Sequence, residues 1–348
     1  MANKERKVGL AMEEPLLFDI GPPTTRRVAD LVKAGGVAAL AEADHRADAA
    51  TYQEVRCRSA LNPVKGMRYF SWTLNPYRGC THGCHYCYAR RYHSQFELGA
   101  GDEFASVILV KTNFVEVLRR ELARPSWTRE VIGLGTATDV YQPIEGHYKL
   151  TRRTLEALVE ARSPVGVITK GPMIVRDKDL LARLSAIEGS SVVVSVPCSD
   201  EAVTARLEPG TAPPRQRLRA VRELLDAGVN AGVLMSPIVP GISSKPALIE
   251  RTIVDAAQAG VPVVGSNVMH LQGGTRDHFV AWLTQEHPEL VEGYRRLYVR
   301  DYAPASYCNE VKKVVSQART KHEPGFRDIR TARPGRLAPD AKPSGDTL

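Results

Sequence analysis

Apolar positions along the chain switch between two kinds of spacing. Short, nearly continuous apolar runs occur at YFSWTLN (69–75), SVILVKTN (106–113), VIGLGTAT (131–138), VGVITKG (165–171), SVVVSVP (191–197), AGVLMSPI (231–238) and VPVVGSNVM (261–269). Between most of them the apolar positions fall three and four apart, as in FVEVLRREL (114–122), LTRRTLEALVEA (150–161), DKDLLARLSAI (177–187), RLRAVRELLDAG (217–228) and PALIERTIVDAAQAG (246–260). Strands alternating with amphipathic helices predict βαβ units and a parallel sheet. Runs that are apolar at every position, not at every second one, predict strands covered on both faces.

Two α/β architectures satisfy this pattern: an open doubly wound sheet and a full or partial βα-barrel. Both collect function in the loops that leave the C-terminal ends of the strands. No G-x-G-x-x-G follows the first strand and no G-x-x-x-x-G-K-[ST] occurs, which removes the usual support for a nucleotide fold. A polar residue instead ends almost every later strand: Asp139, Lys170, Ser195 with Cys198 close behind, Ser236 and Asn267. That favours a barrel mouth.

The flanks differ from this core. TTRRVADLVKAGGVAALAEADHRA (24–47) has helical spacing broken by Gly35 and Gly36, so an N-terminal helical extension is expected over 1–62, ahead of an α/β core over 63–310. From 311 to 348 there are nine Lys or Arg against four Asp or Glu, ending in RTARPGRLAPDAKPSGDTL, and a disordered basic C-terminal tail is expected.

Composition narrows the class. With 43% hydrophobic and 25% charged residues the chain is that of a folded globular protein. Six cysteines in 348 residues do not suggest a disulfide-stapled secreted fold. The first residues, MANKERKVGLAMEEP, hold no apolar stretch of signal-peptide type, and no later run is long enough to span a bilayer. A cytoplasmic location with no membrane partner is therefore expected. The formal net charge of +8 suits an acidic partner. Residues 65–96 carry Lys65, Arg68, Arg78, Arg90 and Arg91 with no carboxylate, interleaved with Tyr69, Tyr77, Tyr86, Tyr88 and Tyr92. Basic plus aromatic is a composition that grips phosphates and stacks on bases, and it equally suits a small anionic cofactor.

The densest chemistry is NPYRGCTHGCHYCYAR (75–90), with Cys80, Cys84 and Cys87 spaced C-x-x-x-C-x-x-C. A catalytic thiol needs only one of them. A structural zinc site needs a fourth ligand, which His82 or His85 could supply, but no second knuckle follows. An iron–sulfur cubane explains the count best: three thiolates hold three irons and leave the fourth open to a ligand from outside the protein.

C-x-x-x-C-x-aromatic-C on the loop after the first strand of a βα series resembles the radical S-adenosylmethionine (SAM) superfamily. The resemblance implies a partial (βα)6 barrel, a [4Fe–4S] cluster on Cys80, Cys84 and Cys87, and SAM bound to the open iron with its adenine near Tyr86. It also implies reductive cleavage of SAM to a 5′-deoxyadenosyl radical that abstracts a substrate hydrogen, fed by an electron donor of flavodoxin or ferredoxin type. A narrower likeness over residues 60–240 rests on NPYRGCTHGCHYCYAR, TATDVYQPIE, VITKG and LEPGT. These resemble the spore photoproduct lyase-like branch, whose founding activity repairs a thymine dimer in DNA. The likeness implies Thr138, Lys170 and Ser195 as SAM contacts, with Glu208 binding ribose or holding its loop. It makes nucleic acid the first expected substrate.

One departure matters. Where the lyase carries a cysteine hydrogen-atom donor, this chain has Thr136, whose O–H bond is too strong for that task. Cys198 is the remaining thiol at the expected rim and the candidate catalytic residue, set against the ordinary reading of a buried inert cysteine. Cys308 comes after it. Two alternatives stand beside a radical enzyme acting on nucleic acid. One is a zinc- or cluster-bearing nucleic-acid-binding protein without radical chemistry; the other is a SAM enzyme acting on a peptide or small metabolite.

Overall fold

The computed structural model describes residues 18–19, 26–27 and 50–323, less 65, 68, 97 and 98. Its twelve strands in chain order are β1 (Phe18–Asp19), β2 (Arg26–Arg27), β3 (Thr51–Cys57), β4 (Asn62–Pro63), β5 (Trp72–Leu74), β6 (Tyr77–Arg78), β7 (Val107–Lys111), β8 (Ile132–Leu134), β9 (Val165–Thr169), β10 (Ser191–Ser195), β11 (Ala231–Ile238) and β12 (Val263–Val268). The helices used below are α1 (Phe114–Leu122), α2 (Leu150–Glu160), α3 (Lys178–Ser185), α4 (Glu201–Leu207), α5 (Pro214–Asp226), α6 (Pro246–Gln258), α7 (Gly274–Glu286), α8 (Val291–Leu297) and α9 (Ala305–His322).

The main sheet has seven strands in the order β12-β11-β10-β9-β8-β5-β4. From β5 to β12 every pairing is parallel, and only β4 is antiparallel, on the β5 edge. Six parallel strands thus follow one another in sequence order with no switch point. That ordering excludes the doubly wound alternative, in which the order reverses. Right-handed crossovers throughout would put the connecting helices on one face; α1 packs on α2, α2 on α3, and α6 on α9. The sheet ends at β4 and β12, which do not pair with each other, so the expected six-strand series is found as an open sheet.

One of the seven runs expected to form strands leaves this series. Val107–Lys111 is a strand, but it pairs parallel to β3 and antiparallel to β6 in a separate five-stranded sheet that also takes in β1 and β2. Thr51–Cys57 lies inside the extension expected to be helical, yet it forms the strand that receives β7. Val55 and Cys57 are buried on one face of it and Tyr52 on the other, as in a strand that is covered on both sides. The short β1 and β2 are likewise extended. The rest of residues 1–49 lies outside the described residues.

The boundary expected at 311 falls inside α9. Val311, Val315 and Ala318 recur at helical spacing and are buried in the main core. The helix packs on β12 and on α6, and Glu323 just beyond it accepts from Val263 N at 3.1 Å, so the open edge of the sheet is covered. Residues 324–348 of the expected tail lie outside the described residues.

Candidate active site

The C-terminal ends of the parallel strands point to one place. The loop leaving β5 carries the three cysteines, and β6 within it is tied to β7. Gly79 makes the approach to Cys80 at φ +83, where a Cβ would stand 2.5 Å from Val107 O and 3.1 Å from His93 Nε2. Only glycine fits both the left-handed backbone and that space. Cys80 N then donates to Phe104 O at 2.9 Å.

Arg90 fixes the rest of the loop from inside. Its guanidinium donates to Cys84 O (3.1 Å), Gly83 O (2.8 Å), Ala100 O (3.1 Å) and Gly101 O (2.7 Å). From the other side the LEPGT turn presses on the loop. His85 N donates to Leu207 O at 3.0 Å and Gly210 N to His82 O at 3.0 Å, and a Cβ on Gly210 would collide with Thr81 O. Helix α7 adds a clamp: the His85 ring stacks on His278 and Trp282, with centroids 5.3 and 5.0 Å apart.

Beside the cysteines lies a buried polar array drawn from six segments of the chain. The Lys170 ammonium, one residue past β9, donates to Ser195 Oγ at 2.7 Å and lies 3.4 Å from Glu208 Oε1. Ser195 Oγ donates onward to Ser236 O at 2.6 Å. Glu208 also receives the Tyr86 hydroxyl and pairs with Arg217 at 2.6 Å, and Arg217 donates to Ser195 O at 3.0 Å. Lys170 Nζ stands 5.7 Å from the centre of the Tyr86 ring. Burial brings the Lys170 ammonium down to about 8 and pushes the Glu208 carboxyl up, against the opposing pull of Arg217.

A second buried set supports the loop from below. Asp139 accepts from Lys170 N (2.6 Å), Thr169 Oγ1 (2.6 Å) and Tyr141 N (2.9 Å), and lies 3.3 Å from His82 Nδ1. Burial would raise this carboxyl, but His82 and the donated hydrogen bonds outweigh it and hold it at about 2. Thr138, expected near a cofactor, instead donates to Gly79 O at 2.5 Å and receives Gln142 Nε2 at 3.0 Å. Gln142 also receives Thr81 N at 3.2 Å.

The structure therefore brings Tyr86, Lys170 and Ser195 together beside the cysteine loop and puts Thr138 under it. It does not bring Cys198 there. That thiol is buried, its pKa raised by burial, among Asp200 and the Thr252 and Arg251 side chains of α6. Cys308 Sγ lies 3.6 Å from Ala303 O, against Tyr298. Thr136 faces Asn75, whose amide donates to its Oγ1 at 3.2 Å, while the Tyr88 hydroxyl donates to its carbonyl. Arg217, Gln142 and the His82–Asp139 contact had no sequence signal of their own, and Arg90, expected among the phosphate-gripping residues, is spent on the loop's own carbonyls. Glu208 was visible in LEPGT but not as the centre of an ion-pair network.

The donor set fits an iron–sulfur cluster. Cys80, Cys84 and Cys87 are free thiols on one clamped loop. Burial raises all three, and Cys80 feels both other cysteines while Cys84 feels Cys87. Burial and the repulsion that neighbouring thiolates would feel favour the protonated thiols, and a metal that binds them displaces the protons. Among the described residues no three His, Cys, Asp or Glu side chains are close enough to share one metal ion. A cubane does not require that closeness, because each thiolate binds a different iron.

Comparison with known proteins points the same way. The family model for the radical SAM superfamily matches residues 74–251. An uncharacterised protein of Mycobacterium tuberculosis (strain ATCC 25618 / H37Rv) is 38% identical over 278 residues, covering 79% of this chain and 82% of that one. A radical SAM Nalpha-GlyT isomerase of Pseudomonas phage M6 is 29% identical over 168 residues, covering 48% of this chain and 33% of that one. Among solved structures, a mutant spore photoproduct lyase with bound AdoMet and dinucleoside spore photoproduct has a TM-score of 0.60 at 15% identity, covering 83% of this chain and 85% of that one. At that identity the likeness is one of fold.

Proposed function

The chain belongs to the radical SAM superfamily, and on that premise we propose that Cys80, Cys84 and Cys87 bind a [4Fe–4S] cluster and that the array around Lys170 binds SAM against it. Membership supports an enzyme of SAM-dependent radical chemistry. The observation that carries the finer reading is the convergence of the three-cysteine loop with Tyr86, Lys170, Ser195, Glu208 and Arg217.

When bound, the cluster and SAM supply a 5′-deoxyadenosyl radical by one-electron cleavage. The chain's own residues hold and shield that chemistry. Lys170 offers its ammonium to the methionine carboxylate as a point charge, and Glu208 with Ser195 fixes where that charge sits. Arg217, paired with Glu208 at 2.6 Å, opposes the upward push of burial on that carboxyl. Tyr86, anchored through its hydroxyl, presents a ring face to the adenine. Thr138 acts at one remove, through Gly79 O, as a positioning residue. Asp139, held ionised, ties β8's loop to Lys170 N and so sets the base of the array. The buried side chains of Tyr86, Ser195, Glu208 and Arg217 would keep water from that side of the radical.

Nucleic acid is the proposed substrate. Its support is the +8 charge, the half-buried Arg91 and Tyr92 that follow the cysteine loop, and a fold like that of a lyase solved with a dinucleoside photoproduct. A cytoplasmic setting and a flavodoxin- or ferredoxin-type reductant belong to the same proposal; among the described residues no helix is long and apolar enough to cross a membrane. The test is anaerobic incubation with SAM and dithionite, with and without DNA or RNA. The reading expects 5′-deoxyadenosine from the wild type, more of it with nucleic acid, and none from Cys84→Ala. No binding at low salt and no acceleration by any nucleic acid would remove that substrate class.

A further inference from the structure

Three rings run outward from the cysteine loop in a column. Tyr88 follows Cys87 directly and anchors its hydroxyl on Thr136 O at the mouth. Its ring lies 5.6 Å from His270, just past β12. His270 stacks in turn on Tyr302, with centroids 5.3 Å apart and planes 23° apart. A backbone bridge between His270 and Tyr302, with Leu271 N donating to Asp301 O at 2.8 Å, holds the outer pair in register.

The column is incomplete at one end. His270 has a ring neighbour in Tyr88 and another in Tyr302. Tyr302, however, is 64% exposed. That leaves the ring of Tyr302 largely open to solvent, a surface that a second planar group would cover. Burial and Arg91 lower the His270 imidazole below its ordinary value, against the opposing pull of Asp301. Positive charge outnumbers negative around the outer rings: Arg300 is exposed next to Tyr302, Arg91 acts on His270, and Arg276 donates to Arg300 O at 2.7 Å while lying 3.7 Å from Asp301, the one carboxylate these contacts include.

An open aromatic face flanked by guanidinium groups, leading by two ring contacts to the residue after Cys87, suits a planar group carried on a phosphate chain. We infer that Tyr302 is a stacking platform for an unstacked nucleobase, one from a single-stranded or locally melted segment of the substrate. The assignment rests on the nucleic-acid reading above and adds the form in which the substrate is held. A base inside an intact duplex has both faces stacked on its neighbours, and an enzyme acting on it must first draw it out.

The test is binding of a fluorescein-labelled single-stranded DNA 12-mer and of the matching blunt duplex to the cluster-loaded protein, followed by anisotropy. Single-strand affinity should exceed duplex affinity. Tyr302→Ala should weaken single-strand binding about 5- to 150-fold, the range expected for loss of one base–aromatic stack. Tyr302→Phe, which keeps the ring, should bind within about twofold of wild type. Equal single-strand binding by wild type and Tyr302→Ala would overturn the platform while leaving nucleic acid as substrate. Preference for the intact duplex would overturn it too. No binding of either DNA by the wild type would remove the nucleic-acid reading itself, and the platform with it.

Discussion

Glu208→Gln is the most informative single change, because it keeps shape and removes one charge. The Glu208 and Arg217 side chains are 1% and 0% exposed, and Lys170 is 14% exposed. At an effective dielectric of 20, the 3.4 Å Lys170–Glu208 contact amounts to about 5 kcal/mol of attraction, much of it offset by desolvation of both groups. Gln leaves two buried cations facing each other with no anion between them. Stripping one partner from a buried charge cluster costs roughly 3–5 kcal/mol, so Tm should fall by roughly 4–7 °C. Urea unfolding followed by tryptophan fluorescence measures the loss. The charge argument also fixes a coupling: adding Lys170→Met to Glu208→Gln should cost less than Lys170→Met alone, with an interaction of about 1–3 kcal/mol. A loss below about 1 kcal/mol for Glu208→Gln, or strictly additive effects, would refute the network.

Other expectations follow from the same geometry. Alanine at Cys80, Cys84 or Cys87 should abolish iron loading, whereas Cys57→Ala, Cys198→Ala and Cys308→Ala should retain it, as read by iron and sulfide analysis. If protonated Lys170 attracts the SAM carboxylate, SAM affinity should drop as pH rises through about 8, by up to about tenfold per pH unit. SAM has its own titrating amine, so the readout is the wild-type profile divided by that of Lys170→Met; a flat ratio would show that Lys170 carries no such role. Gly79→Ala should cost about 1–2 kcal/mol from the left-handed backbone alone. Its Cβ would stand 2.5 Å from Val107 O, so iron retention should fall with stability, and an unchanged midpoint and iron content would contradict the tight loop.

The parts of this protein that could be read from sequence are those written in neighbouring residues. The β-rich runs and helical spacings located the strands and helices, and C-x-x-x-C-x-x-C located the loop, because period and spacing are local. Strand membership was not local. Val107–Lys111 reads like its fellows, yet Thr51–Cys57 and Tyr77–Arg78 draw it into a different sheet. The buried stripe of Val311, Val315 and Ala318 was outweighed in the sequence by the charge around it. At the site, Lys170 and Ser195 were legible as strand ends. Arg217 was not, since it sits in an amphipathic helix and reads as a solvated arginine until the fold closes it over Glu208. Thr138 was placed at the correct end of its strand, but its hydroxyl turns to Gly79 O.

The account stands most directly on SAM meeting the open iron of a cluster held by these three cysteines. Anaerobic reconstitution followed by EPR of the reduced protein, with and without SAM, tests it. The account predicts about four irons per chain and a cluster signal that changes when SAM is added. Zinc in place of iron, or a reduced cluster whose signal SAM leaves untouched, would contradict it.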